Sequence, residues 1–377
     1  MIDTGTLAFL LALAVSAALI SIKLGLSVAI VELVLGILAG NLLGFTSEGH
    51  DWLLFLAGLG SVVLTFLAGA EIDPEAMRKD WKASISIGTL SFLAPFLGTL
   101  AIAYLLLGWT WPASLLAGVA LSTTSVAVVY VVLVESGTSR TPCGKLILSA
   151  CFVTDLGTVV ALSILFIQPN IYFLVMLAAL AVSIVVLPKL LTWIFAKVSG
   201  RSGEPEVKIC LLIVVILGVS AEVAGSHAVL PAYILGLVLA TTMAHNKAVL
   251  AKLRSLSLAF LTPFFFIAAG LSVSLLAVAS SIGLVALLFA VKVGTKFIGV
   301  LPPCRRFVGR DSIYITLLMS TGLTFGTISA QYGLSMGIID QNQFSVLVMV
   351  VMLTAIIPTI IAQRWFMPTI PAECDRK

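Results

Sequence analysis

Charge is what this sequence has least of. Only 10% of its 377 residues are charged and 60% are hydrophobic, with a mean hydropathy of +1.18. A soluble globular domain is about one quarter charged and about half apolar, so a water-soluble fold is excluded. Histidine is reduced to 3 residues and cysteine to 5. Cys143, Cys151, Cys210, Cys304 and Cys374 have no paired ligand spacing, which argues against a zinc site or a disulfide framework and leaves them as small apolar filler. The first apolar stretch, from Leu7 to Ile22, has no basic residue before it and no small-residue cleavage site, so it is read as a span and not as a signal peptide. Nothing in the sequence calls for a cofactor or a nucleic-acid partner.

What the chain does have is apolar runs of about 20 residues, each long enough to cross a hydrocarbon core of about 30 Å. Thirteen candidate spans start near Thr6, Leu24, Asp51, Ala83, Trp111, Gly144, Asn170, Glu206, Ala228, Leu253, Ala277, Asp311 and Asn342. Their connections are short, and residues 1–377 read as a single membrane domain without a soluble regulatory domain. The cations sort by loop. Those following odd-numbered spans hold Lys23; then Arg78, Lys79 and Lys82; Arg140 and Lys145; Lys197, Arg201 and Lys208; Lys247, Lys252 and Arg254; Arg305, Arg306 and Arg310; and in the tail Arg364, Arg376 and Lys377. Loops following even-numbered spans hold no Lys or Arg. That alternation is the positive-inside pattern, with the N-terminus outside, the C-terminus in the cytoplasm and the cytoplasmic membrane as the host bilayer.

Two word pairs recur at an offset of about 200 residues. "VELVLGILAG" at 31–40 resembles "PAYILGLVLA" at 231–240, and "FLAGAEID" at 66–73 resembles "FFIAAGLSVS" at 265–274. The copies lie seven spans apart, an odd number, so they run through the membrane in opposite directions. We place the inverted repeats at about 24–167 and 228–366, joined by linking helices at about 170–225. Inverted repeats are a feature of secondary transporters, whose sites lie near the midplane between the copies. The same offset relates "LSTTSVAVV" at 121–129 to "TGLTFGTIS" at 321–329. Both are rich in Ser, Thr and Gly at mid-membrane depth, where irregular backbone persists only if it lines a cavity or is buried in protein.

Ionisable residues within spans are expensive, at least ~2.5–3.5 kcal/mol each, and so tend to mark function. Asp155, about ten residues into the sixth span, is the clearest, with Thr154 before it and Cys151 and Thr158 one turn away. Lys296 and Lys292 lie one turn apart in the eleventh span, where Lys296 is open to a second reading, snorkelling to the cytoplasmic interface. Glu71 stands near the inner end of the third span, fitting an interfacial or a site role. Glu32 is deeper but its repeat partner is Ala232, and Glu222 and His227 read as solvated.

In order and position these motifs resemble the monovalent cation/proton antiporters, the second cation/proton antiporter class. "FLAGAEID" is similar to that family's Phe-Leu-Ala-Gly-Leu-Glu-Ile-Asp stretch, "LSTTSVAVV" to its unwound Thr-Ser motif, "CFVTDLGTVV" to the segment of its ion-binding aspartate, and "KFIG" at 296–299 to its Lys-x-x-Gly. The resemblance covers nearly the whole chain. It implies an all-α polytopic fold of about 13 transmembrane helices, with a dimerisation domain and a core domain whose fifth and twelfth spans are crossed discontinuous helices. On that pattern Asp155 binds either a cation or a proton, and Thr123, Thr124, Ser125, Thr154 and Glu71 are candidate oxygen donors. Lys296 is the lysine facing Asp155, with Lys292 as the second choice; Ser122, Gly322, Thr324 and Gly326 line the breaks. Many relatives place Asp, Asn or Gln where this sequence has Thr154.

Chemistry reaches the same place independently. Na⁺, Li⁺ and K⁺ want oxygen ligands, and this cluster offers carboxylate, hydroxyl and carbonyl oxygens. A carboxylate that holds either a proton or a cation is a coupled exchanger, and one carboxylate trading one for one moves no net charge. The expectation is electroneutral exchange of Na⁺ or Li⁺, with K⁺ also open, by a homodimer in the bilayer. The alternatives are a sodium-coupled symporter of organic anions on a related fold, an intramembrane protease and a channel. The symporter needs more polar groups around a larger cavity. An aspartyl protease needs a second deep acid, the Ser-His of "AGSH" lies at a span end, and a channel calls for rings of charge.

Overall fold

In hydrocarbon, backbone N–H and C=O groups have to be satisfied within the protein, and a helix does this inside a single segment. We describe the protein from a computed structural model covering residues 4–46, 50–71, 80–138, 141–165, 171–198, 203–223 and 229–368, and every regular element among them is helical. Arg78, Lys79, Arg140, Arg201, His227, Cys374, Arg376, Lys377 and the Glu222 side chain lie outside the described residues. In chain order the helices are α1 (Thr4–Leu24), α2 (Val28–Leu42), α3 (Asp51–Ala70), α4 (Trp81–Ala101), α5 (Trp111–Ser122), α6 (Val126–Glu135), α7 (Pro142–Leu165), α8 (Ile171–Val198) and α9 (Pro205–Val223). They continue with α10 (Val229–His245), α11 (Lys247–Leu256), α12 (Thr262–Leu271), α13 (Leu275–Ser280), α14 (Ile282–Phe307), α15 (Ser312–Met319), α16 (Thr324–Ser335) and α17 (Gln341–Trp365).

Among the described residues, ten helical segments are long and apolar enough to cross a membrane, and two further apolar helices, Val28–Leu42 and Pro231–Ala244, are shorter. The expected tenth start, Leu253, is early in the structure: a helix begins at Lys247, amphipathic over α11, and passes through a π-helical turn, Ser257–Leu261, into α12. Apolar content alone marks only the second half of that element. The expected fifth and twelfth spans are each two helices, α5 with α6 and α15 with α16.

The segments form two compact units. The first comprises Met1–Lys23, Val31–Pro74 and Val159–Ser272, and the second Leu24–Ile30, Glu75–Thr158 and Val273–Lys377. In the first, Phe66 and Leu67 of α3 pack with Leu191 and Phe195 of α8, Val214 of α9, and Leu235 and Leu239 of α10. Glycines let these helices touch backbone to backbone. A Cβ on Gly36 would collide with the Ile267 carbonyl oxygen and one on Gly270 with that of Leu33, so α2 crosses α12 at two glycines. Between α3 and α10 the pattern repeats, with Gly69 against the Tyr233 carbonyl and Gly236 against that of Phe66. In every case the carbonyl belongs to the residue three before the partner glycine. These are the glycines of the two matched words, and both crossings, α2 with α12 and α3 with α10, are made by close small-residue packing.

In the second unit α4 packs against α5 and α14, and α16 against α5 and α17. Ile87, Val129, Leu133, Ile147, Tyr314, Leu318 and Met319 are buried together in its core.

Gly236→Ala is expected to destabilise the protein by about 1–3 kcal/mol, because the new methyl group meets backbone that has no room to move. Gly218→Ala on α9, where nothing lies within 4 Å of the added Cβ, is expected to cost nothing. Thermal unfolding in detergent checks this; equal losses in the two variants would contradict the crossing.

Candidate functional site

Two helices of the second unit are interrupted where their sequences turn to Ser, Thr and Gly. After α5, Thr123 leaves the helix in an extended conformation, φ −62° and ψ 153°. Ser122 donates to the Val119 carbonyl (2.8 Å) and Thr123 to that of Ala120 (3.0 Å), a local alternative to continued helix. The partner break lies between α15 and α16, where Leu323 has φ −147° and ψ −73°. The breaks cross. Thr124 Oγ1 donates to the Met319 carbonyl (3.0 Å), and the Ser125 backbone N–H donates to the Thr321 carbonyl (3.2 Å). Ends of four half-helices meet there, each carrying the partial charge of a helix terminus.

The buried charges gather around this crossing. Lys296 of α14 is fully buried, and its Nζ donates to Ser91 Oγ of α4 (2.8 Å) and to Thr124 Oγ1 (2.9 Å). Asp155 of α7 is 1% exposed, and its Oδ1 has no hydrogen-bond partner. It interacts electrostatically with Lys296, and among the described residues it forms no ion pair within 4.0 Å. One turn before it, Cys151 Sγ lies 3.7 Å from Met319 Sδ, which ties α7 to the end of α15. A buried carboxylate oxygen is thus left open beside a crossing whose lysine is already held by two hydroxyls.

Comparison with known proteins decides the family. The sodium/hydrogen exchanger transmembrane family model matches residues 9–367. The chain belongs to the sodium/hydrogen exchanger family. It is 27% identical over 372 residues to probable Na⁺/H⁺ antiporter 3 of Methanocaldococcus jannaschii, covering 93% of this chain and 91% of that one. It is also 25% identical over 351 residues to the Na⁺/H⁺-K⁺ antiporter GerN of Bacillus cereus, covering 90% and 89%. Its fold is similar to that of the sodium proton antiporter MjNhaP1 of Methanocaldococcus jannaschii, with a TM-score of 0.70, 17% identity and 96% of each chain covered. With ten apolar helices of membrane-crossing length among the described residues, this exchanger-family chain is a multi-pass membrane protein.

The structure sorts the expected site residues of this family member. Lys296 does not snorkel, since neither lysine has any exposed surface. Thr123, Thr124, Ser125 and Gly322 meet at the crossing, and a Cβ on Gly326 would lie 3.1 Å from Thr123 Oγ1 and 3.0 Å from the Ala120 carbonyl. Ser122 points back along its own helix. Thr324, at the start of α16, is 8% exposed. The Thr154 hydroxyl donates to the carbonyls of Ala150 and Gly88, both at 3.1 Å, so it fastens α7 to α4. Glu71 lies in the first unit, where Arg254 Nε donates to its Oε1 at 2.6 Å. Ser91 is the residue the sequence reading missed. Its signal was faint: one of two hydroxyls, with Thr89, in the run "GTLSFL", indistinguishable there from a serine bonded to its own helix.

Ser91→Ala is expected to lower stability by about 1.5–3 kcal/mol, the range for one hydrogen bond to a charged group. Ser84, two turns earlier on the same face of α4, is a buried hydroxyl with no partner, so Ser84→Ala is expected to be neutral or stabilising. Thermal unfolding of both variants in detergent separates them, and the reverse order would remove Ser91 from the Lys296 site.

Proposed function

We propose that this protein is a secondary active antiporter that exchanges a monovalent cation, Na⁺ or Li⁺ in preference to K⁺, for a proton by competition at Asp155. The observation that carries this reading is the open Oδ1 of a fully buried carboxylate beside two crossed helix breaks. An anionic Asp155 there attracts any cation that reaches it, and a proton and a metal cation neutralise the same oxygen atoms. One excludes the other, which is coupling in its simplest form. Thr123, Thr124 and Ser125 and the carbonyls of the breaks supply neutral oxygens suited to a hard cation. Lys296 is a fixed countercharge, held by Ser91 and Thr124 so that it does not itself occupy the carboxylate. The names of the relatives, Na⁺/H⁺ and Na⁺/H⁺-K⁺ antiporters, agree with this chemistry.

The finer assignments follow the same reading. The inverted repeats support alternating access around a fixed site, and the two matching glycine crossings are what such a repeat produces. Loop charge sets the N-terminus outside and the C-terminus inside the cytoplasmic membrane, and the functional unit is a homodimer. Thr154 supplies no second carboxylate next to Asp155, and its hydroxyl is occupied by two carbonyls, so the exchange is one for one and electroneutral.

Two measurements in proteoliposomes test this. Asp155→Asn is expected to abolish cation-driven dissipation of a pH gradient while the protein still folds and inserts, because an amide neither carries the proton nor balances the cation; appreciable residual exchange would sink the assignment. In the unaltered protein, clamping the membrane potential with valinomycin is expected to leave the rate unchanged. A rate that follows the imposed potential would show that the cycle moves net charge.

A further inference from the structure

Two sulfur atoms meet beside the site and take no part in the exchange. Cys151 of α7 and Met319 at the end of α15 are fully buried, and Cys151 Sγ lies 3.7 Å from Met319 Sδ. In an apolar core such a contact alone would be packing. Its neighbour changes the reading. Asp155 stands one helical turn further along α7, where side chains four residues apart meet, and its Oδ1 has no partner. Cys151 interacts electrostatically with Asp155 and with Lys296. Sulfur offers what the oxygens of the crossing do not, because thiolate and thioether are soft donors that select ions such as Cu⁺. Metal–sulfur bonds are about 2.3 Å long, so an ion touching both atoms sits beside the line joining them and keeps positions open for a third donor.

We propose that Cys151 and Met319 form a binding site for a soft monovalent metal ion, Ag⁺ or Cu⁺, with Asp155 as third ligand, and that an ion held there stops exchange. The binding site follows from the sulfur pair, while the arrest rests on exchange at Asp155. A cation that travels to Asp155 in that cycle arrives within one helical turn of the pair, so a soft ion of the same charge reaches it as the cargo does. The Cys151 S–H bond then breaks, a sulfur–metal bond forms, and Met319 adds a lone pair. The proton leaves to water, and the metal keeps its oxidation state. One positive charge enters and one leaves, so Lys296 does not oppose the step. The bound ion occupies the oxygen for which Na⁺ and the proton contend.

Silver nitrate added to chloride-free proteoliposomes tests this, with Cys143, Cys210, Cys304 and Cys374 replaced by Ala so that Cys151 is the one thiol left. Ag⁺ is expected to stop Na⁺-driven dissipation of a pH gradient. Raising Na⁺ is expected to raise the Ag⁺ concentration needed, since both ions use Asp155. Met319→Leu, which keeps the backbone carbonyl, is expected to raise that concentration at least about tenfold, and Cys151→Ala more than about a hundredfold. Loss of an outer-shell partner already costs about 10–100-fold in metal affinity, and these are direct ligands. Native mass spectrometry reads binding without transport: the four-alanine form is expected to hold one Ag⁺ per chain, and its Cys151→Ala variant none. Should either fail to fold, Cys151→Ser in the otherwise unaltered protein is expected to lower the count by one. Equal block or an equal Ag⁺ count with and without the Cys151 thiol, or block that Na⁺ does not relieve, overturns the proposal. Exchange that survives in Asp155→Asn overturns the antiport reading instead, and the Ag⁺ count still tests the sulfur pair.

Discussion

The structure turns on the cost of holding ionisable groups where water does not reach. Asp155 and Lys296 are both buried, and a buried charge persists only with a countercharge and hydrogen bonds. The protein meets this requirement unevenly. Lys296 receives two hydroxyl acceptors, Ser91 of α4 and Thr124 of the break between α5 and α6, while Asp155 keeps an oxygen without a partner. A fully satisfied Asp155 would be a structural residue. In the antiport cycle proposed above, that open oxygen is where the ion from outside would bind.

Everything around the pair serves to place it. The two breaks are held by Thr124 on Met319 and by Ser125 on Thr321, so the hydroxyl that fixes Lys296 also locks one broken helix to the other. Thr154 anchors α7 to α4 at Gly88, where a Cβ would lie 2.5 Å from Val153 Cβ. On the other face of α4 a Cβ on Gly299 of α14 would lie 2.7 Å from the Leu90 carbonyl. Helix α4 is thus gripped by the aspartate helix and by the lysine helix, with Ser91 between those contacts.

Much of this was legible in the sequence, because charge and helix-breaking residues are conspicuous in an apolar chain. Asp155, the lysines and the two Ser/Thr/Gly segments were marked by chemistry alone. The glycine words at an offset of about 200 residues stood out in the sequence, though not as two backbone crossings. What was not legible depends on three-dimensional neighbours. Arg254 lies 183 residues from Glu71 in the chain, and nothing at position 71 announces that ion pair. Ser91 and Ser84 look alike in sequence; one binds an ammonium and the other binds nothing. Depth in a span likewise did not decide whether Lys296 snorkels, because that depends on acceptors supplied by α4 and by the break after α5.

The central claim is that a cation and a proton contend for Asp155. Proton release on cation binding measures it directly. In weakly buffered detergent solution at mildly alkaline pH, saturating Na⁺ added to the proton-loaded protein should release close to one proton per chain, and none from Asp155→Asn. No release from the unaltered protein, or release that persists in Asp155→Asn, would contradict the account.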